Sequence, residues 1–183
     1  MSRVNKTQFG ILSLLSKKDM SGYDIKQMAS KVAPFHWSES NAQIYPILKA
    51  LEKEELVESH VDQKSGDRNR RIYTITTKGL DALKLWLAEP TEPTPAREEL
   101  LLKLTAGEHA PIPQFIQQLE TFRDQILHRQ KALVTIQNNI DSAHAEGLRK
   151  MYLQMTYDYA ALTLEAKLAW CEKSLQTLRE YKG

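Results

Sequence analysis

The side chains able to do chemistry in this 183-residue chain fall into two sets: histidines and a thiol that stand apart, and cations and hydrogen-bonding groups that cluster. His36, His60, His109, His128 and His144 are widely separated, and only Asp124 and His128 place a carboxylate and an imidazole one helical turn apart. Two ligands are too few for a metal site, and such a pair is ordinarily a surface ion pair. The single Cys171 excludes an internal disulfide and a cysteine-based zinc site. It falls among apolar helical positions, with Lys167 a turn earlier, and is expected to be buried and inert. The seven glycines form no phosphate-cradling cluster, and no serine-nucleophile motif is present. No catalytic residue, metal or cofactor is therefore expected.

Cations gather instead between His60 and Lys78, where Lys64, Arg68, Arg70, Arg71 and Lys78 face only Asp62 and Asp67. A basic loop of this kind can reach DNA phosphates or enter a minor groove, where flanking phosphates concentrate negative potential. Its other reading is a solvated tip. Upstream, Ser38, Ser40, Asn41, Gln43 and Tyr45 offer neutral donors and acceptors around a helix start. They suit phosphate positioning and base-edge readout, and Lys49 one turn on adds a phosphate contact. Ser40 and Gln43 could equally cap one another. Glu52, Glu54 and Glu55 crowd the far end, which is expected to point away from DNA.

The elements that must position these groups change character at Pro90-Thr91-Glu92-Pro93-Thr94-Pro95, where three prolines disfavour helix. Residues 1–89 are expected to form one domain, 90–96 a linker and 97–183 a second domain. In the first, Thr7–Ser16 reads as a helix. A second helix starts at the capping pair Ser21 and Asp24, buries Tyr23, Ile25, Met28 and Ala29, and is ended by Pro34. A third spans about Ser40 to Glu55. Leu56–Val61 and Arg71–Thr76 alternate as strands around a polar hairpin tip, and Thr77–Ala88 is a fourth helix with Leu80, Leu83, Leu85, Trp86 and Leu87. That order is a winged helix-turn-helix.

Past the prolines, a short helix over 97–106 precedes two long ones. Leu119, Phe122, Ile126, Arg129, Leu133, Ile136 and Ile140 make a heptad seam on the first. The last, from about Glu146 to Tyr181, carries two seams: Leu148, Tyr152, Met155, Tyr159, Leu162, Ala166 and Ala169, and then Leu164, Leu168, Cys171, Leu175 and Leu178. A helical hairpin covers one of them, so the other is expected to meet a second subunit. Leu119, Phe122, Ile126, Leu133, Met155, Tyr159, Leu162, Leu168 and Leu175 are the expected dimerisation residues. The fold class is mainly α with a small β-hairpin. Trp37, Trp86, Trp170, Tyr152, Tyr157 and Tyr159 read as core or seam, with an effector pocket between the halves as the alternative.

Composition narrows the class. Hydrophobic residues at 42% and charged residues at 26% are globular values. No apolar run approaches the roughly 20 residues of a membrane span, and the N-terminus lacks a secretory apolar segment, so a soluble cytoplasmic protein is expected. The net charge of +2 conceals 14 Lys+Arg against 11 Asp+Glu over 1–89, and 11 against 12 over 90–183.

Ser21-Gly22-Tyr23-Asp24-Ile25, the run from Gln43 through Tyr45-Pro46 to Glu52, and Arg71-Ile72-Tyr73-Thr74-Ile75-Thr76-Thr77-Lys78-Gly79 together resemble the PadR family of bacterial transcriptional regulators. Glu98–Leu104 resembles the start of the virulence-activator-like α-helical domain of its longer members. The resemblance implies a homodimer whose third helix enters the major groove while the wing approaches the flanking minor groove. It puts Ser40, Gln43, Tyr45 and Lys49 on the reading helix, Lys64, Arg68 and Arg70 on the wing, and Tyr23 near the DNA backbone or beneath the reader. Asn41-Ala42 departs from the pair many members carry there, so base preference does not transfer. The expected function is a dimeric, sequence-specific regulator, a repressor on a pseudo-palindromic double-stranded operator. The alternatives are a regulator released by a small aromatic effector and a coiled-coil adaptor that does not bind DNA.

Overall fold

The computed structural model describes residues 6–36, 44–62, 70–91, 98–142 and 147–181. The chain divides into two compact units, Met1–Pro93 and Thr94–Gly183.

The first unit runs α1 (Lys6–Leu15), β1 (Met20–Ser21), α2 (Gly22–His36), α3 (Ile44–Lys53), β2 (Val57–Val61), β3 (Arg71–Ile75) and α4 (Thr77–Ala88). Its antiparallel sheet has the order β1-β3-β2, with Val57 opposite Ile75, Val61 opposite Arg71 and Ser21 opposite Ile72. Ile11, Leu12, Leu15, Ile25, Leu48, Leu51 and Val57 are fully buried and form its centre. Phe9 and Trp86 stack at 4.7 Å, which seats α4 on α1. The winged-helix order read from periodicity is the observed one. Strand β1, two residues long, has no period to read.

Two local expectations are corrected, for Pro34 and for Tyr23. Helix α2 passes through Pro34 to His36: the proline forfeits one i→i−4 hydrogen bond near the C-terminus, and the helix runs only two residues beyond it. Tyr23, expected inside, is 61% exposed, since it lies on the outward side of the first turn of α2, whose Gly22 and Ile25 are buried. Leu85 and Leu87 of α4 are exposed while Leu83 is buried, as one face of a single helix requires.

Helix α3 ends two residues before expected. The Leu56 amide donates to the Leu51 carbonyl at 2.9 Å and the Glu55 amide to Glu52 at 3.0 Å, a Schellman closure that places Glu55 at φ 59°. Thr76 then caps α4: its Oγ1 accepts from the Gly79 amide at 3.0 Å and donates to the Glu55 carbonyl at 2.7 Å. A Cβ on Gly79 would stand 2.0 Å from the Leu56 carbonyl oxygen, so this close approach admits only glycine.

The second unit holds α5 (Glu99–Leu104), a 3₁₀ turn at Gly107–His109, α6 (Ile112–Ser142) and α7 (Leu148–Glu180). Helices α6 and α7 form an antiparallel hairpin, along which Arg179 Nη2 meets Glu120 Oε1 at 2.7 Å and the Gln137 and Gln154 amides bond reciprocally at 3.3 and 3.4 Å. Leu119, Ile126, Leu133 and Ile140, one heptad apart, are buried on α6. Ala160, Leu164, Cys171 and Leu175 are buried on α7. The Cys171 thiol donates to the Leu119 carbonyl at 3.2 Å, and burial pushes its pKa up, with the Glu172 charge adding to the rise.

Candidate nucleic-acid interface

The exposed surface around α2 and α3 begins with a complete capping box. The Asp24 amide donates to Ser21 Oγ at 3.2 Å and the Ser21 amide to Asp24 Oδ2 at 3.1 Å, while Ser21 Oγ also donates to that oxygen at 2.7 Å. These bonds, and behind them the Arg70 charge, hold the Asp24 carboxyl below the ordinary carboxylate range against a smaller effect of burial. A lowered acid lends its stability above the ordinary carboxylate pKa and loses it as pH falls through the lowered value.

Two tyrosines flank this cap. The Tyr45 ring lies against Gly22, where a Cβ would come within 2.6 Å of Cε1, and the ring remains 51% exposed. Gln27 Nε2 donates to the Tyr23 hydroxyl at 2.8 Å, which leaves the phenolic proton directed elsewhere. Lys49, one turn beyond Tyr45, is exposed and forms no ion pair with another described residue. Tyr23, Tyr45 and Lys49 thus provide a phenolic donor, an aromatic edge and a cation from two adjacent helices. Ile44, Ile47, Leu48 and Leu51 on the opposite face of α3 anchor it in the core.

The basic cluster is less free than its composition implies. Arg70 Nη2 meets Asp24 Oδ2 at 3.1 Å, Arg71 Nη1 meets Glu52 Oε2 at 3.5 Å, and Lys78 Nζ meets Glu55 Oε2 at 3.2 Å. Glu52 also accepts from Ser59 Oγ at 2.5 Å, so the carboxylates at the end of α3 tie down the sheet. Burial pushes the Tyr73 phenol beside them above its ordinary pKa, and the Glu52 charge adds to this. Ser38, Ser40, Asn41, Gln43, Lys64 and Arg68, and Trp37 with them, lie outside the described residues. Residue spacing revealed the pairing of Asp24 with Ser21, but carried no signal for its second partner, Arg70, 46 positions away.

The residues expected to pair subunits separate into two groups. Leu119, Ile126, Leu133 and Leu175 are buried within the chain's own hairpin, with Phe122 and Leu168 partly so, and a side chain enclosed there has no surface to offer a partner directly. Met155, Tyr159 and Leu162, with Leu148 and Tyr152, stand more than half exposed on the other seam of α7. Beside them a groove of about 520 Å³ is lined by Leu101, Phe122, Leu162 and Trp170, with Lys167 Nζ bound to Glu98 Oε2 at 2.6 Å at its edge. Phe122 meets Trp170 edge-on at 6.0 Å, and Lys167 lies 5.7 Å from the Phe122 ring. Among the described residues no group of three His, Cys, Asp or Glu side chains could hold a metal, and no helix is long and apolar enough to cross a membrane.

Residues 11–85 match the profile of the transcriptional regulator PadR-like family, and residues 96–179 match that of the virulence activator alpha C-terminal domain. The chain is 29% identical over 147 residues to the negative transcriptional regulator PadR of Bacillus subtilis, covering 76% of each chain. It shares its fold with the PadR-like regulator BC1756 of Bacillus cereus (TM-score 0.80, 20% identity, 94% of this chain and 97% of that one). The same fold is seen in B. subtilis PadR bound to operator DNA (TM-score 0.76, 23% identity, 95% and 99%) and bound to p-coumaric acid (TM-score 0.69, 24% identity, 94% and 98%).

Proposed function

The chain belongs to the PadR-like family of transcriptional regulators, in the longer form with a virulence-activator-type C-terminal domain, and from that premise we propose that it is a homodimeric, sequence-specific DNA-binding repressor. The observation that carries this reading is the exposed Tyr23, Tyr45 and Lys49 surface on α2 and α3 of a winged-helix unit. In this reading residues 1–89 read DNA, 90–96 link and 97–183 pair two chains. Helix α3, preceded by Ser38, Ser40, Asn41 and Gln43, enters the major groove, and Lys64 and Arg68 bring the wing to the flanking backbone. The protein acts by binding rather than catalysis, in the cytoplasm where its DNA is. A relative solved on operator DNA and one named a negative regulator support the reading.

A dimer places its two reading helices about 34–36 Å apart, one helical turn, so the operator is a pseudo-palindrome. Gel shift and footprinting of the native protein on its own upstream region test this. Protection of two half-sites with clear preference over random duplex is expected, and equal affinity for both duplexes would overturn it. Release by a small aromatic effector is the second reading, favoured by the groove between Leu101, Phe122, Leu162 and Trp170 and by the p-coumaric acid complex of a relative. Saturable quenching of tryptophan fluorescence together with loss of DNA binding is its required pair of outcomes.

A further inference from the structure

On the reading above, the first turn of α2 faces phosphates through Tyr23, yet the next residue is an ionised carboxylate. Asp24 Oδ2 accepts three donors, the Ser21 amide at 3.1 Å, Ser21 Oγ at 2.7 Å and Arg70 Nη2 at 3.1 Å. The first two are the helix cap, so the carboxylate is held in place before Arg70 arrives. Arg70 is held as well: its carbonyl accepts from the Asp62 amide at 2.8 Å, and Arg71 after it opens β3. Ser21 itself pairs with Ile72 in the sheet. An exposed ion pair is usually weak because two mobile side chains must be ordered to meet. Here the cap orders one partner and the strand ladder orders the backbone of the other.

We propose that Asp24 is a positioning residue for DNA recognition, which keeps Arg70 off the phosphates and uses it to fix the root of the wing against the first turn of α2. Two consequences follow from charge alone. The pair presents no net charge to DNA, so a phosphate approaching Tyr23 meets no repulsion from Asp24. Arg70, already matched, contributes no released counterion to binding on arbitrary sequence. Asp24 thereby favours orientation, and with it discrimination, over bulk affinity.

The proposal rests on the regulator reading and is tested with the full-length protein, on operator and random duplexes, across a salt series. Asp24→Asn keeps an acceptor for the Ser21 amide but releases Arg70. Its log K against log salt is expected to steepen by about 0.9, the value for one more neutralised phosphate. Affinity for random duplex rises and the operator-over-random ratio falls. Asp24→Asn combined with Arg70→Gln removes both charges, so the native slope is expected to return while that ratio stays low. Arg70→Gln alone leaves Asp24 unpaired and weakens both duplexes, the operator more, so should Asp24→Asn unfold α2, visible in circular dichroism, the ratio in Arg70→Gln alone still decides. A slope of the double variant flattened by about 0.9 below the native one means that Arg70 already holds a phosphate and overturns the proposal. So does an unchanged ratio in either single variant. A native protein that ignores DNA would sink the regulator reading and this proposal together, whereas the outcomes just named sink this proposal alone.

Discussion

In the N-terminal unit Ile11, Leu12, Leu15, Ile25, Leu48 and Leu51 meet one another from three helices, and Phe9 with Trp86 brings in the fourth. In the C-terminal unit α7 carries the same kind of residue on two stripes, and only one of them finds a cover. Leu164, Cys171 and Leu175 are buried against α6, while Tyr159 and Leu162 remain 66% and 65% exposed. Among the described residues the first unit encloses one central core, with Leu85 and Leu87 exposed on α4, and the second leaves the Leu148–Leu162 stripe of α7 open. Large contiguous apolar surfaces on a folded protein mark places where another surface binds. The contrast fits the different duties proposed for the two units: a unit that encloses its own core places polar and charged side chains for DNA, and an open one pairs.

The contrast can be broken most severely at Gly79. Alanine there would put a methyl group into the Leu56 carbonyl, joining α4 to the α3–β2 corner, and is expected to destabilise the N-terminal unit by about 3 kcal/mol or more. At about 4–8 °C per kcal/mol for a unit of this size, its thermal transition should fall well over 10 °C while the native mass stays that of a dimer. Loss of the dimer as well would show that the two units do not fold independently.

Leu162→Glu strikes the open seam instead. The side chain is exposed in the single chain, so protomer helicity is expected to survive in circular dichroism. A charge buried against a second copy should weaken association about a hundredfold, about 3 kcal/mol, in sedimentation equilibrium. If the dimer persists with Tyr159→Glu added, the pairing face lies elsewhere.

Glu55→Gly sharpens the comparison by a small amount in the opposite direction. Relief of the left-handed conformation is worth about 1–2 kcal/mol, glycine's extra unfolded freedom costs about 0.5–1 kcal/mol, and the exposed Lys78 pair adds little. A net gain of about 0.5 kcal/mol is expected, seen as a slightly higher melting transition of the N-terminal unit and an unchanged association constant. A lower transition would mean that the Lys78–Glu55 pair matters more than the backbone strain.

Much of this was legible because it is local. The Ser21–Asp24 cap, the alternation of β2 and β3, and the heptads of α6 and α7 are relations within one or two turns, and neighbouring residues suffice to express them. Pro34 misled because a proline's effect depends on its distance from a helix end, which composition does not mark. Tyr23 misled because an aromatic at a helix start has the same spacing whether the turn faces the core or water.

The candidate site divides along the same line. Basic residues around the wing were visible as composition, but which carboxylate each one meets was not, because Arg70 and Asp24 are 46 residues apart. Sequence by itself determined the order of elements apart from β1, the break at the prolines, and that α7 has two apolar seams with too few neighbours in the chain to cover both. Tertiary structure alone decided that the Leu164–Cys171–Leu175 seam is the one enclosed, that Gly79 must let a carbonyl approach, and that three of the wing's cations are already matched. Periodicity is a property of one segment, whereas a buried contact or an ion pair needs two segments brought to the same place.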